Sequence, residues 1–185
     1  AEDEYREGRT VTFDVFLGAK KVQTVSVDLV TDKIDCGEPD RVLPADRVEL
    51  AGIESCDYLV YPVERAVADK VCGITERHGD RPSSRVKDLV DIVVYARNIA
   101  FEFDALSAAL KTELSARRLA LCRTFDVPQE WDDVQARQFK KLTERAGIPD
   151  SFHDIHNAEV LVKKLIEPCL SGQTDLNVWN TEALA

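Results

Sequence analysis

The 185 residues include no methionine, only three histidines and no Cys-x-x-C pair. The longest apolar stretches are short, such as Val90 to Ala96. None approaches the roughly 18–20 residues that a helical membrane span needs, so no membrane is expected among the partners. The opening residues Ala1 to Glu7 are charged and do not read as a signal peptide. The five cysteines, at 36, 56, 72, 122 and 169, stand far apart, which fits reduced thiols in a cytoplasmic protein. His153 and His156 are three residues apart, but two imidazoles without clustered cysteines do not supply a zinc site. Positive charge is also scarce: 24 Lys and Arg against 34 Asp and Glu leave a formal net charge of −10. Bulk electrostatic attraction to nucleic acid is excluded, so any such contact is local, and the acidic surface would suit a basic partner. There is no internal repeat, low-complexity tract or linker.

What is present is ordinary globular composition, with 44% hydrophobic and 31% charged residues. That suffices for one domain, or for two small lobes sharing a core. Residues 10–17 are β-branched and aromatic, Gly18 to Lys21 reads as a turn, and 22–30 alternates in polarity. Two strands joined by a short turn make a hairpin. A short strand is predicted over Arg47 to Leu50, and another over Tyr58 to Tyr61. After Pro62 the pattern becomes helical: Val63, Ala66, Val67, Val71 and Ile74 recur at helical spacing. The break at Gly79 to Pro82 ends that helix. Ser83 or Ser84 is expected to cap the next, whose apolar stripe is Val86, Leu89, Val90, Val93 and Val94. Further helices are predicted at about 103–122, 130–146 and 154–170. Strands first and helices afterwards argue for an α+β fold.

The segment from Tyr61 to Lys70, with Arg77, Arg81, Arg85, Lys87, Asp88 and Asp91 after it, carries the chemistry. Asp88 and Asp91 are three apart and reach one helix face. A chain reversal at 79–82 would bring Lys70 toward Asp88, within about 3–6 Å if the pair is direct or water-bridged. A lysine supplies a compact charge and arginines supply planar forks for phosphate oxygens. A neighbouring carboxylate can orient the lysine or accept a proton from a hydroxyl. The competing reading is a solvated salt-bridge face. Arg117, Arg118 and Arg123 form a second basic cluster, read either as a solvated face of the 103–122 helix or as a contact for an RNA backbone or an acidic protein surface. Changing Arg117 and Arg118 would then weaken that contact in a salt-dependent way. Trp131 and Trp179 read as packing residues.

The run Y-P-V-E-x-x-x-A-D-K, followed by R-P-S-S-R-V-K-D-L-V-D, resembles the core signature of the AbiEii/AbiGii nucleotidyltransferase toxins of type IV toxin–antitoxin and abortive-infection systems. The likeness is specific over 58–97 and weaker over 10–30. It implies a polymerase-β-type nucleotidyltransferase sheet, with its N-terminal part incomplete here, followed by a helical bundle. On that layout 1–60 is the partial sheet region and 61–185 the helical region completing the active site. The resemblance implies Mg²⁺- or Mn²⁺-dependent transfer of a nucleotide from a nucleoside triphosphate to an acceptor. For MenT-like members that acceptor is the 3′ end of tRNA, and a cognate antitoxin is the implied protein partner. Lys70, Asp88 and Asp91 would be catalytic, Arg81, Arg85 and Glu64 would bind substrate, and Asp28 would be a metal carboxylate. The family's Gly-Ser and Asp-x-Asp elements do not occur before Asp28, and Asp14 lies on the preceding strand. Asp28 alone is a poor two-metal site. The alternative is therefore a catalytically incomplete remnant that binds a nucleotide or only a partner.

Overall fold

A computed structural model describes residues 6–32, 34, 37–43, 56–120, 123–172, 178–179 and 181. In chain order the elements are β1 (Arg6–Leu17), β2 (Lys20–Asp32), β3 (Asp40–Val42), β4 (Tyr58–Val60) and α1 (Val63–Thr75). Then come β5 (Arg77–His78), β6 (Arg81–Pro82), α2 (Val86–Asn98), β7 (Phe101–Glu102) and α3 (Phe103–Ala116). The last are α4 (Asp133–Arg145), a 3₁₀ turn (Asp150–Phe152), α5 (Ile155–Ser171) and β8 (Val178–Trp179). The class is α+β, and the described strands pair as four separate two-stranded antiparallel sheets. The strand predicted over 47–50 lies outside the described residues. The chain divides into two compact units, 1–35 and 36–185. The change from strand to helix falls at residues 60–63, β4 ending at Val60 and α1 starting at Val63.

The first unit is the β1–β2 hairpin. Its turn is two residues, Gly18 and Ala19, shorter than the predicted 18–21, because Leu17 pairs directly with Lys20. Gly18 has φ +61°, a conformation glycine adopts without steric cost. Val15 faces Gln23 and Phe16 faces Lys21, so β2 carries one extra residue at Val22, a β-bulge. Cross-strand pairing places Thr10 opposite Asp28, Thr12 opposite Ser26 and Asp14 opposite Thr24 on one polar face. Val11 with Val27 and Phe13 with Val25 form the other face.

In the second unit, α1 packs on α2 and α3, α2 also packs on α4 and α5, and α3 packs on α5. Their buried faces supply one core that includes Val67, Val71, Ile74, Leu89, Ile92, Val93, Leu106, Leu110, Phe139, Leu161 and Leu165. Trp131 and Trp179 pack on this core, and each donates its indole N–H at 2.7 Å, to the carbonyls of Ser83 and Ala96. α4 opens on a capping box, the Asp132 carboxylate accepting and Gln135 answering. Asp154 accepts from the backbone of His156 and Asn157 at the start of α5. The cap expected at α2 takes a different form. Arg85 occupies the cap position with no side-chain cap bond, and the buried Ser83 hydroxyl accepts from the Arg85 N–H at 3.2 Å.

The predicted 103–122 helix stops early, at Ala116. Arg118 adopts φ +54°, the Leu119 N–H reaches the Leu114 carbonyl, and the Arg118 N–H reaches the Ser115 carbonyl. This is a Schellman closure with arginine at the left-handed position usually held by glycine.

Candidate functional site

The 77–82 ribbon reverses the chain, so α1 and α2 run antiparallel and side by side. Lys70 projects from the middle of α1, and Asp88 and Asp91 project from the first turns of α2. The Lys70 Nζ lies 3.3 Å from Asp88 Oδ1 and 2.7 Å from Asp91 Oδ2. Arg85 Nη1 reaches Asp88 Oδ2 at 3.4 Å, and Lys87 Nζ reaches Asp91 Oδ2 at 2.8 Å. Three cations thus converge on two carboxylates at one end of α2. The side chain of Lys70 is 18% exposed and that of Asp88 15%, so both are largely shielded from water while remaining reachable.

The electrostatics follow from this packing. Burial alone would lower the Lys70 pKa, but the hydrogen bond to Asp91 and the charges of both aspartates outweigh it and raise the value above 10.5. Burial alone would raise Asp91, but the bonds from Lys70 and Lys87 hold it below 3.8. A depressed carboxyl contributes stability above its unfolded value and loses it as pH falls through the folded value. A raised lysine contributes below its unfolded value and loses the contribution as pH rises through the folded one. The stability difference between the wild type and Asp91→Asn is therefore expected to stay flat from about pH 5 to pH 9. It should shrink as pH drops below about 4, measured by urea unfolding across that range.

A residue with no signal in the charge pattern shapes this site. Gly73 lies one turn beyond Lys70, and a Cβ there would stand 3.1 Å from Arg85 Cδ and 3.3 Å from both Arg85 Nη1 and Asp88 Oδ2. The glycine lets Arg85 and Asp88 lie against the α1 backbone. In Gly73→Ala, the partly exposed arginine can swing away, while the helix interior gains about 1 kcal/mol of propensity. The melting temperature should hold or rise, and any activity that depends on Arg85 should fall. A thermal melt run beside an activity assay reads both.

Glu64 and Arg81 stand apart from this cluster: among the described residues neither side chain makes a hydrogen bond or ion pair. Lys70 is six positions beyond Glu64 on α1, which turns the two about 120° apart around the helix. Arg77 is committed elsewhere, to Glu130 Oε1 at 2.8 Å and the Asp80 carbonyl at 2.9 Å. Asp28 belongs to the hairpin, where its Oδ1 accepts from the Thr10 hydroxyl at 2.7 Å.

The second basic cluster needs correction. Arg117 is neither a solvated helix residue nor available to RNA. Its side chain is 0% exposed and pairs with Asp69 and, at 3.3 Å and 3.1 Å, with Glu76 and Glu113. Asp69 lies on α1 and Glu76 is the residue that caps its end, so Arg117 ties the end of α3 to the helix that carries Lys70. Cys72 lies beside this group, and burial pushes its thiol up to about 12, so it stays protonated.

The chain belongs to the family of nucleotidyl transferase AbiEii toxins of type IV toxin–antitoxin systems, whose model matches residues 2–175. Membership points to nucleotidyl transfer, to a nucleotide substrate and to an antitoxin partner. No curated protein and no solved structure matches the chain. Among the described residues no helix is long and apolar enough to cross a membrane. The AbiEii family resemblance also implies a divalent metal. Among the described residues no group of three or more His, Cys, Asp or Glu side chains is placed to hold one. Asp88 and Asp91 already hold Lys70, and Asp28 is a single carboxylate bonded to a threonine. Neither the Asp88–Asp91 pair nor Asp28 is by itself a two-metal cradle.

Proposed function

We propose that the Lys70 cluster is the phosphate-handling site of a toxin that transfers a nucleotide from a nucleoside triphosphate to an RNA acceptor, the 3′ end of tRNA, in the cytoplasm. The carrying observation is the pairing of one shielded ammonium with two carboxylates beside the more open Arg85. An ammonium has three N–H donors. Asp88 and Asp91 take two, which fixes the rotamer and leaves the third for a phosphate oxygen. Arg85 adds a planar fork on the exposed side. In the transfer, the acceptor hydroxyl oxygen bonds to the α-phosphorus, the bond from that phosphorus to pyrophosphate breaks, and Asp88 takes the hydroxyl proton. Catalysis then rests on positioning and charge stabilisation in a shielded site. We assign Asp91 to orienting Lys70, Glu64 and Arg81 to more distant substrate contacts, and Asp28 to a Mg²⁺ or Mn²⁺ ion. The β1–β2 hairpin we assign to the nucleotidyltransferase sheet.

The test is incorporation of labelled nucleotide from each nucleoside triphosphate into total RNA, with and without Mg²⁺. Incorporation dependent on the protein supports the reading. Its absence with all four, alongside retained binding of a nucleotide or an antitoxin, favours the incomplete binding remnant.

A further inference from the structure

In the unit of residues 36–185, Lys70, Arg77, Arg85, Lys87, Arg117 and Lys163 each hold a carboxylate. Helix α4 gathers four cations that do not. Arg137, Lys140, Lys141 and Arg145 are all exposed, and among the described residues none of their side chains makes a hydrogen bond or ion pair. The helical repeat puts Arg137, Lys141 and Arg145 on the side opposite Phe139 and Thr143, which are fully buried, with Lys140 on the flank. With a rise of about 1.5 Å per residue, Arg137, Lys141 and Arg145 form a row with steps of about 6 Å. The row is rigidly mounted. Its helix is capped by Asp132 and closed at Gly147, and it packs on α2, the helix bearing Asp88 and Asp91.

We infer that this face of α4 docks the phosphodiester backbone of an RNA acceptor. The acceptor class rests on the function proposed above. A protein partner would be met by an apolar or aromatic centre with charges at its rim. The α4 face has no aromatic among its four cations, its exposed large apolar side chain, Val134, stands at the N-terminal end of the helix, and Glu144 is the only other charged side chain between Lys140 and Arg145. A polyanion needs no such centre, because its affinity comes from counterion release at phosphate contacts. Backbone contacts of this kind fix orientation and carry no sequence information. On a chain of net charge −10, a local basic row would also favour one docking orientation, since the net negative charge repels the backbone elsewhere.

Binding of fluorescently labelled bulk tRNA, followed by anisotropy between about 50 and 200 mM salt, tests the inference. The variant Lys140→Gln/Lys141→Gln should lose about tenfold in affinity and about 1.5 in the slope of log K against log salt. Lys111→Gln/Lys164→Gln removes the same charge from other exposed positions and should change neither. Equal losses in both variants, no loss in the α4 variant, or a wild type that binds polyglutamate through these lysines in preference to tRNA would each overturn the inference. Nucleotide incorporation in the same samples separates the two readings. Binding that depends on α4 without incorporation removes the transferase and keeps the docking face. Incorporation with binding independent of α4 does the reverse.

Discussion

Lys70→Ala is expected to lower nucleotide transfer by at least about 10²–10³-fold, the loss typical of removing one preorganised charge-stabilising donor. Growth arrest in bacteria expressing the protein should disappear with it. No neighbouring cation substitutes: Lys87 is tied to Asp91 at 2.8 Å on the outer side of α2, and Arg85 reaches only Asp88. The fold should survive, because those same two cations still neutralise the carboxylates that Lys70 leaves behind. Circular dichroism and an unfolding curve beside the transfer assay separate lost chemistry from lost structure. Wild-type toxicity and transfer in a folded Lys70→Ala protein would leave the cluster as a structural salt bridge.

Arg117→Ala is expected to destabilise the protein by about 3–5 kcal/mol, because breaking a buried ion pair leaves its partner charge uncompensated. The Glu113 side chain is itself 0% exposed, and Asp69 and Glu76 are largely shielded. A loss of this size is a large share of a typical domain's total stability. It should appear as a lower urea midpoint at constant slope. A change within about 0.5 kcal/mol, the range of ordinary surface substitutions, would contradict the buried pairing. The salt-dependent loss of acceptor binding expected from a solvated Arg117 is not anticipated for this side chain.

The difference between Lys70 and Arg117 shows what the chain discloses locally. Lys70, Asp88 and Asp91 sit in strongly periodic helices separated by Gly79 and Pro82, so spacing alone places them on facing surfaces. Pro62 marks the start of α1, and Gly147 marks the end of α4 through its left-handed φ of +66°. At the end of α3 the same closure is made by Arg118 without glycine, so the pattern ran on past Ala116 and carried Arg117 to a surface it does not occupy. Glu113 and Arg117, four apart, and Asp69 and Glu76, seven apart, were available as a signal, but only packing of α1 on α3 says that the pairs meet inside. Gly73 was similarly unreadable: mid-helix glycine looks like a weakness until Arg85 and Asp88 are seen lying against it.

The most direct measurement of the central claim is equilibrium dialysis of each labelled nucleoside triphosphate against the wild type and Lys70→Gln. A charge-assisted hydrogen bond of about 1.5–3 kcal/mol corresponds to a loss of about 10–100-fold in affinity, and the account predicts a loss in that range for at least one nucleotide. A wild type and a Lys70→Gln protein that bind every triphosphate equally well would contradict it.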